Sequence, residues 1–205
     1  MALEPLHPMT LEGRHVWLIP LSHEHRGALS AAVRDGELWK LWYASAPAPT
    51  AMQAEIERRL ALQAENSMLP FTVIEAVTHQ PVGMTTYMHI DRVNRRLEIG
   101  STWYAARVQR TALNTEAKLL LLGHAFEQLG CIAVEFRTHF LNQRSRRAIE
   151  RLGAKLDGIL RSHAIAANGT VRDTCVYSIV APEWPTVRAH LTWLLEHPHG
   201  SAASS

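Results

Sequence analysis

Residues Gln109 to Lys118 read QRTALNTEAK, between a strand-like run and a helix-like one. Such a junction can hold an anion. The first backbone N–H groups of a helix have no intrahelical partner, and the helix dipole places partial positive charge beside them. The dipole alone is worth about 0.3–1 kcal/mol to an anion. Arg110 adds a full charge on a planar fork suited to phosphate. The ligand chemistry this points to is a phosphate or pyrophosphate. Yet the stretch contains no glycine, and every strand–loop–helix unit has a helix N-terminus, so the junction by itself marks a place rather than a ligand. Further along, Asn142 and Ser145 stand three residues apart at the head of another helical run, the spacing of an ordinary N-cap and first turn. Glu98 lies in LEIG, on the strand before the junction, where burial beside an apolar sheet would raise its pKa. The plain alternative is a structural ion pair with Arg95 or Arg96 across a hairpin.

The elements that must position these residues alternate. HVWLIPL (His15 to Leu21) reads as a strand. SHEHRGALSAAVRDG reads as a short amphipathic helix, with Ser22 as N-cap and Gly36 as its stop. ELWKLWYASAPAPT reads as a loop or broken helix, and Ala51 to Asn66 has helical periodicity. FTVIEAV, VGMTTYMHI and LEIGSTWY form an antiparallel meander. NTEAKLLLLGHAFEQLG is a helix with Asn114 as expected N-cap and Gly130 at its end. IAVEFRTHF is a strand, NQRSRRAIERLG a helix between Asn142 and Gly153, and KLDGILRSHAIA with VRDTCVYSIV a hairpin around Asn-Gly. PEWPTVRAHLTWLLEH closes as a helix. The crossover through NTEAK makes its two flanking strands parallel neighbours. The class is α+β.

At 205 residues, 47% apolar and 20% charged, the chain can bury a real core and is not of disordered type. A net charge of +2 is no nucleic-acid footprint, and QRSRRAIER is a basic helix face without a stacking platform or groove-reading helix. HEH at 23–25 points its histidines in different directions with no further ligand set, so no metal is expected. Cys131 and Cys175 have no metal or redox spacing and read as buried thiols of a reducing compartment. No run is long and apolar enough to span a bilayer, and MALEPLHPMT lacks the features of a secretory signal. A cytoplasmic location is expected, with one domain over 1–197 and a disordered tail over 198–205.

The element order, together with LEIGSTWY…QRTALNTEAK, LNQRSRRAIERLGA and GTVRDTCVYSIV, resembles the GNAT superfamily of acetyl-CoA-dependent N-acetyltransferases. It is closest to the RimJ/RimL-like branch, and the resemblance runs from Thr10 to Glu196. The junction resembles the pyrophosphate motif Q/R-x-x-G-x-G/A. Gln109 matches its first position, and Ala112 and Asn114 stand where it has glycines. Asparagine tolerates left-handed backbone. Alanine would cost roughly 1–2 kcal/mol if positive φ were required there. The resemblance implies a GNAT fold, a mixed and mostly antiparallel sheet flanked by helices. It implies acetyl-CoA held by Gln109, Arg110, Thr111, Ala112, Leu113 and Asn114, with Trp103, Asn142 and Ser145 along the rest of the cofactor. Glu98 becomes the expected general base, often through water, and Ser145 the hydrogen-bond donor to the leaving sulfur. A backbone N–H between Gly100 and Trp103 becomes the oxyanion donor.

Trp39, Trp42, Tyr43, Tyr87 and His163 are the expected acceptor-side residues, with His163 also an outside candidate for the base, against core packing for the aromatics and a partly buried or surface position for His163. The implied reaction is direct attack of a primary amine, a protein N-terminus or a small molecule, on acetyl-CoA. A non-catalytic acyl-CoA sensor is the alternative. RimL-like proteins are often dimers, and VRAHLTWLL could serve such an interface or cover the sheet.

Overall fold

The structure, a computed structural model, describes residues 2–44, 46–166 and 168–197. The expected disordered tail at 198–205 lies outside the described residues, as do Ser45 of the proline-punctuated loop and Ala167 beside the Asn-Gly turn. Eight strands among the described residues form one sheet: β1 (Leu11–Glu12), β2 (Val16–Pro20), β3 (Met68–Glu75), β4 (Gln80–Asp91), β5 (Arg96–Tyr104), β6 (Ala133–His139), β7 (Lys155–Ile165) and β8 (Val171–Val180). Their order is β1-β2-β3-β4-β5-β6-β8-β7. Among the described residues only β5 and β6 pair in parallel; the other neighbours are antiparallel. The five helices among the described residues are α1 (Arg26–Arg34), α2 (Met52–Ala64), α3 (Ala112–Gly123), α4 (Gln143–Glu150) and α5 (Trp184–Glu196). This is the mixed, mostly antiparallel α+β architecture read from the residues.

Alternation along the strands divides the molecule into two cores. On one face Tyr87, Leu97, Ile99, Val134, Phe136 and Tyr177 meet Leu113, Ala117 and Leu121 of α3 and Trp184, Val187 and Leu191 of α5. On the other, Met84 and Trp103 meet Leu29 and Val33 of α1 and Met52 and Ile56 of α2. The helices α1 and α2 pack on β4 and β3 respectively. The same face of β6 and β8 carries polar side chains instead. The apolar positions of α5 thus cover the sheet, leaving Trp193 half-exposed.

Two details correct the sequence reading. The helix after the junction begins earlier than Asn114. Thr111 is its N-cap, with Oγ1 accepting from the N–H of Leu113, and Asn114 lies within the first turn. Ser22 caps a 3₁₀ turn over His23–His25 that precedes α1. Asn142 caps α4 as its spacing predicts, its Oδ1 accepting from the Ser145 N–H at 3.0 Å. A buried carboxylate fixes α3 against the start of β2. Glu116 accepts from the backbone N–H groups of Arg14, His15 and Val16 at 2.9, 2.6 and 3.0 Å.

Candidate active site

The sheet opens between β5 and β6. These strands pair only where Arg96, Leu97 and Glu98 face Ala133, Val134 and Glu135. Beyond that, β5 continues to Tyr104 and β6 to His139 without partnering each other, while β6 stays paired to β8 over its whole length. A notch lined by backbone polar groups follows. A bulge deepens it. Met84 faces Trp103 but Thr86 faces Gly100, so β5 carries one extra residue there. Ser101 takes φ +47° in the bulge, a left-handed conformation that a non-glycine residue rarely adopts without support. The support is Arg59 of α2, fully buried, which donates to the Ser101 carbonyl at 3.1 Å and to Thr86 Oγ1 at 2.7 Å. Glu55 holds its Nε at 2.7 Å. Arg59 drew no attention in the sequence, because an arginine in a charged helix usually reads as a solvated face.

Glu98 stands at the last paired position before the opening and is 4% exposed. It does not pair with Arg95 or Arg96. Arg96 binds Glu135 instead, at 2.6 Å. The Glu98 carboxylate meets His89 Nδ1 at 2.8 Å and Arg137 Nε at 3.5 Å. Burial pushes its pKa above the ordinary carboxylate range, and the Glu135 charge adds to this. The His89 hydrogen bond and charge and the Arg137 charge act the other way. Gly100 makes room for it, since a Cβ there would lie 2.6 Å from Glu98 Oε1 and 2.8 Å from Met88 Sδ. A buried carboxylate with a raised pKa at the edge of an open notch has the properties of a general base.

At the other end of the notch stand the N-termini of α3 and α4. A cavity of about 480 Å³ lies there, lined by Gly36, Leu38, Ala106, Gln109, Arg110 and Arg144. Gln109 donates to the Tyr104 carbonyl at 2.7 Å and accepts a short hydrogen bond from Arg144 of α4. The absent glycines now have an explanation. Positive φ falls on Arg110, at +61°, while Ala112 sits in the first turn of α3 with ordinary backbone. The alanine therefore costs no strain. Leu113 buries its side chain in the core, so only its backbone faces the loop. Arg110 and Arg144 form no ion pair among the described residues and present two charges to one cavity. This fits the phosphates of a nucleotide cofactor by chemistry as well as by place. Ser145 is half-buried in the first turn of α4.

Residues 15–155 match the acetyltransferase (GNAT) domain family. The chain belongs to the GNAT acetyltransferases. The GCN5-related N-acetyltransferase from Brucella melitensis is similar over 100% of this chain and 93% of its own, at 30% identity and TM-score 0.84. YdaF of Bacillus subtilis (strain 168), whose name places it with ribosomal N-acetyltransferases, is 33% identical over 50% of this chain. The match spans 55% of that relative's length. Mycobacterium smegmatis RimJ, solved with CoA-disulfide, shares the fold at TM-score 0.77 and 22% identity, over 92% of this chain and 97% of its own.

The remaining expected residues of this GNAT chain divide sharply. Tyr87 does not line a pocket. It is fully buried, its hydroxyl donating to the Leu121 carbonyl at 2.5 Å, because its strand position points it at α3. The Trp103 side chain is likewise core, 4% exposed beneath α1 and α2, so only its backbone borders the notch. Trp39 packs on that second core. Trp42 is half-exposed and sits edge-to-face on His139 at 5.1 Å, with Tyr43 beside it. His163 is exposed on β7, its Nδ1 at 3.1 Å from Thr174 Oγ1. His139 and Arg172, which the sequence reading did not single out, lie on the same sheet face as Glu98. No motif marks them; only the register of β6 and β8 brings them there.

Proposed function

We propose that this GNAT protein transfers the acetyl group of acetyl-CoA to a primary amine by direct attack within a ternary complex. The observation that carries this reading is Glu98, a buried carboxylate of raised pKa at the point where the sheet opens. Arg110, Arg144 and the first N–H groups of α3 would hold the pyrophosphate, with Asn142 and Ser145 along the pantetheine. The amine nitrogen bonds to the thioester carbon, and its proton goes to Glu98, directly or through water. The carbonyl oxygen gains charge beside the backbone N–H groups freed by the bulge at Ser101. The carbon–sulfur bond breaks, and the departing sulfur is met by a hydrogen bond from Ser145. The two cysteines are buried and unpaired, which supports a reducing, cytoplasmic setting. A homodimer would use the apolar surface left by β7 and Trp193, and light scattering would read it.

Calorimetric titration with acetyl-CoA, followed by thiol release over a panel of amines and peptides, tests the proposal. Micromolar binding with turnover on an acceptor supports it, and Glu98→Gln should then lower kcat by about 10²–10⁴-fold with little change in CoA affinity. Tight binding without thiol release on any acceptor would favour an acyl-CoA sensor, and no binding would overturn the reading.

A further inference from the structure

Beyond Glu98 the same sheet face runs across β6 and β8 with side chains that acetyl transfer itself does not use. Glu135, Arg137 and His139 alternate along β6 on this face. The register sets His139 opposite Thr174, and Arg172 comes next along that face of β8, past the end of β6. Arg137 is already engaged by Glu135 and Glu98. Arg172 is not. It is half-buried, its Nε donates to Thr174 Oγ1 at 3.1 Å, and among the described residues it forms no ion pair. The Glu98 carboxylate acts on it through space without forming an ion pair, so the half-buried guanidinium has no counter-charge in contact.

The second observation is independent. His139 is 5% exposed, and its Nδ1 accepts from the Leu141 N–H at 3.0 Å. The ring proton of the neutral imidazole therefore belongs to Nε2. That nitrogen is buried with no hydrogen-bond partner among the described residues. Burial, and then the charge of nearby Arg172, hold the ring below its ordinary pKa, while the Asp173 carboxylate acts the other way. Half-exposed Trp42 lies across the ring. An unpaired cation and an unmet buried donor thus stand near each other, on the face that carries the base.

We propose that Arg172 and the His139 Nε2–H form an anion subsite for the acceptor. The acceptor is then a small amine that also bears a carboxylate or phosphonate. This rests on the acetyl-transfer reading and names its substrate class. A peptide N-terminus without an acidic group would leave Arg172 without an ion pair, so it is disfavoured.

The test uses the full chain and conjugates in which the CoA sulfur carries –CH₂–CO–NH–R, with the CoA portion anchoring every probe alike. R is supplied by glycine, by β-alanine, by their neutral amides and by aminomethylphosphonate, and affinity is read by calorimetry. At least one anionic conjugate should bind about tenfold or more tightly than its neutral counterpart. Arg172→Gln should abolish that preference while leaving unconjugated CoA affinity unchanged, and Arg172→Lys should keep part of it. Equal affinity throughout, a preference for the amides, or a preference that survives Arg172→Gln would overturn the subsite while the acetyltransferase reading stands. Failure of CoA itself to bind would remove both.

Discussion

As the proposed base, Glu98 would act only when deprotonated, and its surroundings make that happen late. Burial raises its pKa, Glu135 adds to the rise, and His89 and Arg137 oppose it. The acid limb of the kcat/KM profile should therefore lie above the ordinary glutamate value of about 4.3, with activity lost as pH falls through it. An acid limb at or below that value would remove Glu98 as the base. For stability the sign is reversed. A carboxylate whose folded-state pKa is raised favours the fold below its unfolded pKa and loses that contribution as pH rises through the folded one. Lys118 is a second buried titratable group. It is 6% exposed, within 3.2 Å of Thr102 Oγ1 and 3.4 Å of Thr85 Oγ1, and burial pulls its pKa down to about 7. Between about pH 7 and 10.4 the unfolded chain binds a proton that the folded chain does not, so stability rises with pH across that window. Lys118→Met should raise the thermal midpoint most at pH 6, with the gap narrowing toward pH 10; a gap independent of pH would contradict this.

Elements are held in register by a few polar side chains that act across long sequence separations. Glu116 binds three backbone N–H groups at the start of β2 and so ties that strand to α3. Glu116→Ala leaves these donors without their charged acceptor and should lower the unfolding free energy by about 3 kcal/mol or more, read from urea melts. The bulge in β5 is held in the same way, by Arg59 from α2. Its neighbour Gly100 is small for a reason other than backbone freedom. A methyl there would collide with the end of the Glu98 side chain. Because that end can swing away, Gly100→Ala should leave the fold and CoA affinity nearly intact and lower kcat by about tenfold or more, through a misplaced base. Loss of CoA binding with kcat preserved would place the constraint on the cofactor instead.

Across the whole molecule, function follows from an asymmetry of cover. One sheet face is sealed by α3 and α5, and the other is apolar only beneath α1 and α2. The uncovered part, over β6 and β8, carries the charged and polar groups beside the notch. A cofactor seated in that notch would touch β5, α3 and α4 together and link the two halves of the sheet. Saturating CoA, at about 100 times its dissociation constant, should then add about 2.7 kcal/mol to the unfolding free energy and raise the thermal midpoint in proportion. No shift at saturation would mean that CoA does not bind the folded state.

The sequence alone determined the succession of elements from Val16 onward, the parallel crossover around NTEAK and the Asn142 cap. These depend on local periodicity, capping chemistry and the residues of single turns, all of which act within a few positions of the chain. It misplaced the start of α3 because Thr111 and Asn114 are both good caps and the chain continuing from β5 chose between them. It made Tyr87 a site residue, although strand alternation gives two faces and only the packed helices say which one is inside. Tertiary structure alone decided that Glu98 meets His89 and Arg137 rather than the arginines beside it, that Arg110 rather than Ala112 takes the left-handed conformation, that Arg59 holds the bulge, and that His139 and Arg172 share the sheet face of Glu98. Those outcomes depend on strand register and on where two strands part, and such long-range pairings leave no spacing in the chain to read.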